Sequence, residues 1–310
     1  MTVLMMSTTT NDNACMTVGL LDDRYVLGEL LGAGSMGQVY SAYDSMLGIE
    51  VAVKMLHPEL VSSRQHVNRF ASEARIAARL LSRNVVKVLG LAVTLEGAPC
   101  IIYERLEGET LGARIVREGG ISLGDTLEIV KQMTAAIGRA HSMGIIHRDV
   151  KPDNIFLTQD SEGRMLVKLL DFGIAEVEGE DGTYMHCQLA GTPEYMAPEI
   201  LLGTHDTDRG VDLYALGVMV FECLTGRCPF PGPVENVIAA LRSGTRAPFT
   251  EHRPDLDGAI DAWMDRALHA DPFWRFSTVK ELRDAFEAAM PRSLATSAKK
   301  VAPLTLRAAA

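Results

Sequence analysis

Gly32-Ala33-Gly34-Ser35-Met36-Gly37 sets three glycines in a backbone run that can approach phosphate groups, because a Cβ there would hold the chain off the ligand. A dinucleotide-binding turn shares this spacing but opens a helix. Here Gln38-Val39-Tyr40-Ser41-Ala42-Tyr43 continues as a strand, so the run reads as a hairpin turn, either laid over phosphates or with no ligand at all. Lys54 ends the apolar run Val51-Ala52-Val53-Lys54, and an ammonium in such a strand must leave the core or meet a counter-charge. Glu73, on the helical segment Phe70-Ala71-Ser72-Glu73-Ala74-Arg75, is the natural partner; the alternative is a surface lysine on an edge strand. Further along come His147-Arg148-Asp149-Val150-Lys151-Pro152-Asp153-Asn154, then Asp171-Phe172-Gly173, then Ala197-Pro198-Glu199. Taken singly, Asp149, Asn154 and Asp171 suit turns and caps as well as chemistry.

Taken together and in this order, the segments resemble the catalytic domain of a protein kinase, and most of all the bacterial eukaryotic-like (Hanks-type) Ser/Thr kinases. The resemblance runs from about residue 24 to about residue 290. It implies ATP and Mg²⁺, with Mn²⁺ as an alternative ion, and transfer of the γ-phosphate to a protein hydroxyl, autophosphorylation included. Phosphoryl transfer rests on positioning and charge neutralisation. The resemblance makes Asp149 the acceptor of the substrate hydroxyl's proton and Lys151 a partner of the γ-phosphate. It makes Asn154 and Asp171 the metal ligands, oxygen donors of the kind a hard cation takes. Lys54 would bind the α/β-phosphates, held in place by Glu73. The turn Gly32, Ala33, Gly34, Ser35, Met36 and Gly37 would cover the phosphates. Val39, Ala52 and Phe156 would line the adenine slot, with Tyr103 as gatekeeper and the backbones of Glu104 and Leu106 at the hinge. A pseudokinase scaffold is the rival reading; it would normally lack Lys54, Asp149 or Asp171, and all three are present.

Other implied roles are structural or regulatory. Glu199 should pair with Arg275, and Asp212 should hold the catalytic-loop backbone. Thr192 should lie near Asp149 and Lys151, and Lys151 itself marks a Ser/Thr rather than a Tyr kinase. Arg148 and Thr183 are the expected regulatory pair, although Glu176 stands where relatives often carry a basic residue.

The elements that must position these residues follow from periodicity. Tyr25–Leu31, Gln38–Asp44 and Glu50–Leu56 read as an antiparallel meander, Ser63–Leu81 as a helix, and Val85–Val93 and Pro99–Tyr103 as further strands. After Thr110 helices dominate: Asp125–Ser142, Val211–Leu224, Val234–Arg242, Ala259–Leu268 and Thr278–Met290, with short strands near Ile155–Leu157 and Val167–Leu169. The expected class is α+β: a bilobal protein-kinase-like fold, with a small antiparallel β lobe carrying one main helix and a larger, mostly α lobe. The expected division is a flexible leader 1–22, a kinase domain 23–290 (small lobe 23–103, hinge 104–107, large lobe 108–290) and a flexible basic tail 291–310.

Charge narrows the partners. The formal net charge is −10, distributed as −1 over 1–103, −13 over 104–290 and +4 in the tail. Nucleic acid is not an expected partner, since phosphate binding needs clustered Lys and Arg. The acidic block suits protein substrates with basic residues near a Ser/Thr acceptor. A homodimer is compatible with the sequence. The cysteines Cys15, Cys100, Cys187, Cys223 and Cys228 are odd in number and lack ligand spacing, which suits free thiols in a reducing compartment. No signal peptide or membrane span is visible, so the expected location is cytoplasmic.

Overall fold

The computed structural model describes residues 20–21, 23–172, 175–177, 191–203, 208–243, 249–256 and 258–290. Thr183, the segment 1–19 and the tail 291–310 lie outside the described residues. The chain divides into two compact units, one holding the residues up to Val67 with Leu89–Arg105, the other Asn68–Val88 with Leu106 onward.

The first unit is built on a six-stranded sheet. Its strands are β1 (Leu20–Leu21), β2 (Tyr25–Ala33), β3 (Gly37–Asp44), β4 (Ile49–Leu56), β5 (Val88–Val93) and β6 (Pro99–Glu104). They lie in the order β1-β2-β3-β4-β6-β5. Alternation sorts the side chains. Val51 and Val53 on β4 pack with Ala42, Cys100 and Ile102 into a buried cluster, while Ala52 and Lys54 take the opposite face. The register places Val39 and Ile101 opposite Lys54, and Ser41 and Tyr103 opposite Ala52. Directly paired residues share a face, so Val39, Ala52, Lys54 and Tyr103 stand on one side of the sheet. Arg24 donates twice to Asp44, at 2.9 and 2.6 Å, and fixes the start of β2 beside the end of β3.

Two sequence expectations change here. Leu20–Leu21, inside the segment read as leader, pair with β2, and Leu21 is buried against its cluster. The strand expected from Val85 begins only at Val88. The backbone before it is committed elsewhere: Val86 N–H donates to Leu169 O, and Leu169 N–H to Asn84 O.

Helix α1 (Arg64–Arg79) crosses the division between the units. The second unit continues with β7 (Glu109–Thr110), α2 (Leu111–Glu118), α3 (Leu123–His141), β8 (Ile145–Ile146), β9 (Ile155–Gln159), β10 (Met165–Leu169) and β11 (Glu176–Val177). Then come α4 (Pro198–Leu202), α5 (Gly210–Thr225), α6 (Val234–Ser243), α7 (Phe249–His252), α8 (Gly258–Ala267) and α9 (Val279–Ala288). Its core is organised around α5, whose residues from Val211 to Phe221 are all buried; a helix apolar on every side belongs inside a domain. Ser122 and Thr278 cap α3 and α9 through their hydroxyls, and Gly226 ends α5 in the left-handed region. The small sheets β10-β9-β7 and β11-β8 carry the loops of interest.

The short elements β7, α2, β8 and α4 were not read from the sequence, because two to eight residues give no sustained period. Among the described residues, no helix is long and apolar enough to cross a membrane. The described cysteines are free thiols, and burial pushes Cys100 up to about 11.

Candidate active site

In the first unit the glycine run forms the turn between β2 and β3. Gly34 N–H donates to Gly37 O at 2.9 Å, closing it. The three glycines have different reasons. A Cβ on Gly37 would stand 2.1 Å from Met55 O, so this glycine is required by the neighbouring strand. A Cβ on Gly32 or Gly34 would meet no protein atom within 4 Å, so the protein's own packing does not require glycine there. Lys54 on β4 is buried, as is Glu73 on α1, which is only 1% exposed. Tyr103 is buried, and Glu104 and Leu106 are half-buried.

In the second unit most of the remaining residues converge on one loop. It runs from β8 to β9 and its backbone is held by Asp212, in the first turn of α5. The Asp212 carboxylate accepts the N–H of His147 at 2.9 Å and of Arg148 at 2.8 Å. Arg148 has φ 66°, a left-handed conformation that costs a non-glycine residue about 1–2 kcal/mol, and these two bonds help offset it. Asp212 also meets His141 Nε2 at 2.7 Å. Burial alone pushes the Asp212 carboxyl up, but the hydrogen bond and charge of His141 and the charge and backbone N–H of His147 outweigh it and hold the group below the usual carboxylate range.

A depressed carboxylate contributes stability that is present above its unfolded value and is lost as pH falls through its folded value. The stability difference between the parent and Asp212→Asn should therefore be full above about pH 4 and shrink below it, as chemical denaturation across that range will show. A gap that stays constant on acidification would remove Asp212 as the charged anchor.

Asp149 sits at the centre of the loop. Lys151 Nζ lies 2.9 Å from its Oδ2 and 3.2 Å from its Oδ1. Asn154 Nδ2 donates to Oδ2 at 2.8 Å and to the Asp149 main-chain oxygen at 2.9 Å. Lys151 also donates to Thr192 Oγ1 at 2.7 Å, joining the segment before α4 to the loop. Asp149 N–H donates to His147 Nδ1 at 3.3 Å, which suits the tautomer whose Nε2–H faces Leu170 O at 3.2 Å. The His147 ring meets Phe172 edge-on at 4.7 Å, and Leu170 N–H donates to Asn154 O at 2.8 Å. These contacts bring the β10 exit, and so Asp171 with φ 46°, to the loop that carries Asn154.

The donor set suits a hard cation. Both Asn154 bonds use Nδ2, which leaves its amide oxygen as the atom available to a metal, and Asp171 adds a carboxylate. No group of three or more His, Cys, Asp or Glu able to hold a metal occurs among the described residues. Two oxygen ligands fit an ion that keeps water and takes substrate phosphates, as Mg²⁺ does.

Away from the loop, Arg275 donates two parallel bonds of 2.7 Å to Glu199, both side chains being almost fully buried. Phe156 lies on β9 opposite Thr110 and Lys168. A Cβ on Gly108, at φ 139°, would stand 2.0 Å from Leu157 O, which explains a glycine that sequence reasoning passed over. His141 as a partner of Asp212 was also missed, as was Glu222, which accepts the Tyr195 hydroxyl. Burial raises the Tyr195 phenol and the Glu222 carboxyl. A lone His or Glu in a helix carries no sequence signal for such a contact. Of the expected regulatory residues, Arg148 and Thr192 are placed; Thr183 is outside the described residues.

The model of the protein kinase domain matches residues 25–286. The chain belongs to the protein kinase domain family. Members of the family use ATP and a divalent metal. The chain is 35% identical over 289 residues to serine/threonine-protein kinase Pkn1 of Myxococcus xanthus, covering 92% of this chain and 41% of that protein. It is 38% identical to PksC of Streptomyces coelicolor, covering 88% and 51%, and 34% identical to PknA of Mycobacterium tuberculosis, covering 86% and 62%. These place it with the bacterial Hanks-type Ser/Thr kinase domains, and it spans about half the length of such relatives. The crystal structure of the Mycobacterium tuberculosis PknI kinase domain superposes with a TM-score of 0.69 at 26% identity, covering 89% of this chain and 100% of that one. The fold is therefore the bilobal protein kinase fold, with a β-sheet lobe and a helical lobe.

Proposed function

We propose that this kinase domain transfers the γ-phosphate of ATP to serine or threonine hydroxyls of proteins, its own chain included, with Mg²⁺ as the preferred ion and Mn²⁺ able to replace it. The observation that carries the reading is the Asp149 carboxylate, oriented by Lys151 and Asn154 and linked through Lys151 to Thr192. ATP with its metal supplies an electrophilic phosphoryl group; the chain supplies position and charge. Asp149 Oδ2 is engaged by both Lys151 and Asn154, so Oδ1 is the less committed oxygen and the one to receive the proton of the attacking hydroxyl. The Lys151 ammonium beside it neutralises charge developing on the transferred group. Asn154 and Asp171 hold the cation, and Lys54 holds the inner phosphates. The turn from Gly32 to Gly37 covers the phosphates with backbone N–H groups. Val39, Ala52, Tyr103 and Phe156 contact the base, and Glu104 and Leu106 meet its edge with their backbones.

Protein substrates follow from the family. A preference for basic residues near the acceptor is supported by the exposed Asp153 beside the catalytic loop and by the acidic balance of residues 104–290. A homodimer has no supporting observation and is not part of the proposal. Lys54, Asp149 and Asp171 are all present, so nothing favours a catalytically silent scaffold.

The deciding experiment is incubation with labelled ATP, Mg²⁺ and a generic basic protein, followed by identification of the phosphorylated residues. Phosphoserine and phosphothreonine are expected. Nucleotide binding without any transfer would instead support the scaffold. A second test concerns Lys54 and Glu73, two buried charges proposed to counter each other. Lys54→Met should lower turnover by about 10²-fold or more, and adding Glu73→Ala should cost little further, because residues that act as one unit are not additive. Additive losses would separate their roles.

A further inference from the structure

The glycine turn is tied down by a single residue two strands further along the chain, just beyond β4. β4 ends at Leu56 and is followed by His57-Pro58. A residue before proline is confined to extended backbone, and His57 adopts φ −55° and ψ 135°. From there it makes two bonds to the turn. Its backbone N–H donates to Met36 O at 3.0 Å, and its ring Nε2 lies 2.9 Å from Gly34 O. A carbonyl oxygen only accepts, so Nε2 carries the hydrogen and donates. With Gly34 N–H closing onto Gly37 O, the carbonyls of Gly34, Met36 and Gly37 all have donors. Among the described residues, the N–H groups of Ser35 and Met36 have no protein acceptor. Backbone donors seek acceptors, and these two sit on a turn that is exposed from Gly32 to Ser35, where an anionic ligand can supply them.

We propose that His57 is a positioning residue for the nucleotide: its ring holds the Gly34 carbonyl so that the Ser35 and Met36 N–H groups stay directed at the phosphates. The proposal rests on the reading that the glycine turn covers those phosphates. His57 does not touch the ligand; it removes conformational freedom from a turn that three glycines would otherwise leave loose. Pro58 is part of the device, since it sets the backbone that aims the ring.

The test compares His57→Ala, His57→Gln and Gly34→Val with the parent. The readouts are the KM for ATP, the KM for a peptide substrate, and the affinity for ADP with Mg²⁺. His57→Ala deletes the ring bond and leaves the backbone bond to Met36. Losing one such bond should raise the ATP KM and weaken ADP about three- to tenfold, with the peptide KM changed by less than about twofold. The amide of His57→Gln reaches about as far as Nε2 and should recover most of the affinity. A general folding defect would move both KM values and would not be rescued by glutamine; either result overturns the proposal. Gly34→Val reports on the underlying reading, because a Cβ there meets no protein atom within 4 Å and the added bulk points into the open space a ligand would fill. Unchanged ADP affinity in Gly34→Val would remove the turn from the phosphates, and the His57 role with it. Weakened affinity there, with His57→Ala at the parent level, would overturn the His57 proposal alone.

Discussion

Asp149→Asn should cut turnover by at least about 10²–10⁴-fold, the contribution of a positioned general base, while nucleotide affinity stays near the parent value. The substitution preserves volume and removes the charge. Asn154 still has the Asp149 main-chain oxygen, 2.9 Å away in the parent, so the loop keeps part of its bonding. Lys151 loses the carboxylate at 2.9 Å but keeps Thr192 at 2.7 Å, and so remains near its place. What disappears is the oxygen able to take the hydroxyl's proton. The measurement is single-turnover phosphate transfer beside direct nucleotide binding, with thermal melting to show that the variant folds. Transfer within about tenfold of the parent, at unchanged binding, would assign the proton to another acceptor.

Arg275→Ala should strongly destabilise the second unit. Arg275 is 1% exposed and Glu199 3%, and the two bonds between them are both 2.7 Å. The same guanidinium donates to the backbone oxygens of His269 and Ala270 and lies 4.8 Å over the Tyr214 ring. Truncation leaves a buried carboxylate with its counter-charge gone, and breaking such a pair costs about 3–5 kcal/mol. For a domain of this size that corresponds to a Tm lowered by roughly 6–20 °C. Arg275→Lys should recover little, because an ammonium cannot reproduce the planar two-bond fork. Urea denaturation of both variants gives the comparison; a loss under about 1 kcal/mol for Arg275→Ala would mean that water enters and screens Glu199. Glu199 lies in the first turn of α4, directly after the segment carrying Thr192, so phosphate transfer should fall as well.

Much of the site was legible because its members are close in sequence. The run from His147 to Asn154 holds Asp149, Lys151 and Asn154 on one short loop, where local geometry brings them together. The alternation of β4 separates Lys54 and Ala52 from Val51 and Val53 whatever the rest of the chain does. The buried helix α5 was legible from apolarity on every side. The two-residue strands and α2 were not, because their backbones are ordered by partners distant in sequence: Glu109 pairs with Leu157, and Ile146 with Glu176.

The sequence by itself determined the order and spacing of the chemical groups, the family they resemble, the change from strand to helix period, and the polarity of each face. Only the tertiary structure decided which distant atoms meet. His141 reaches Asp212 across 71 residues, and Asn84 and Val86 bond to Leu169 and leave β5 to start late. His57 reaches back 23 residues to a turn from which two strands, β3 and β4, separate it. Residue types set what each group can donate, accept or exclude, and those capacities are written along the chain. Which donor finds which acceptor depends on closing long loops around a packed core, and that choice is made by the burial of every other residue at once.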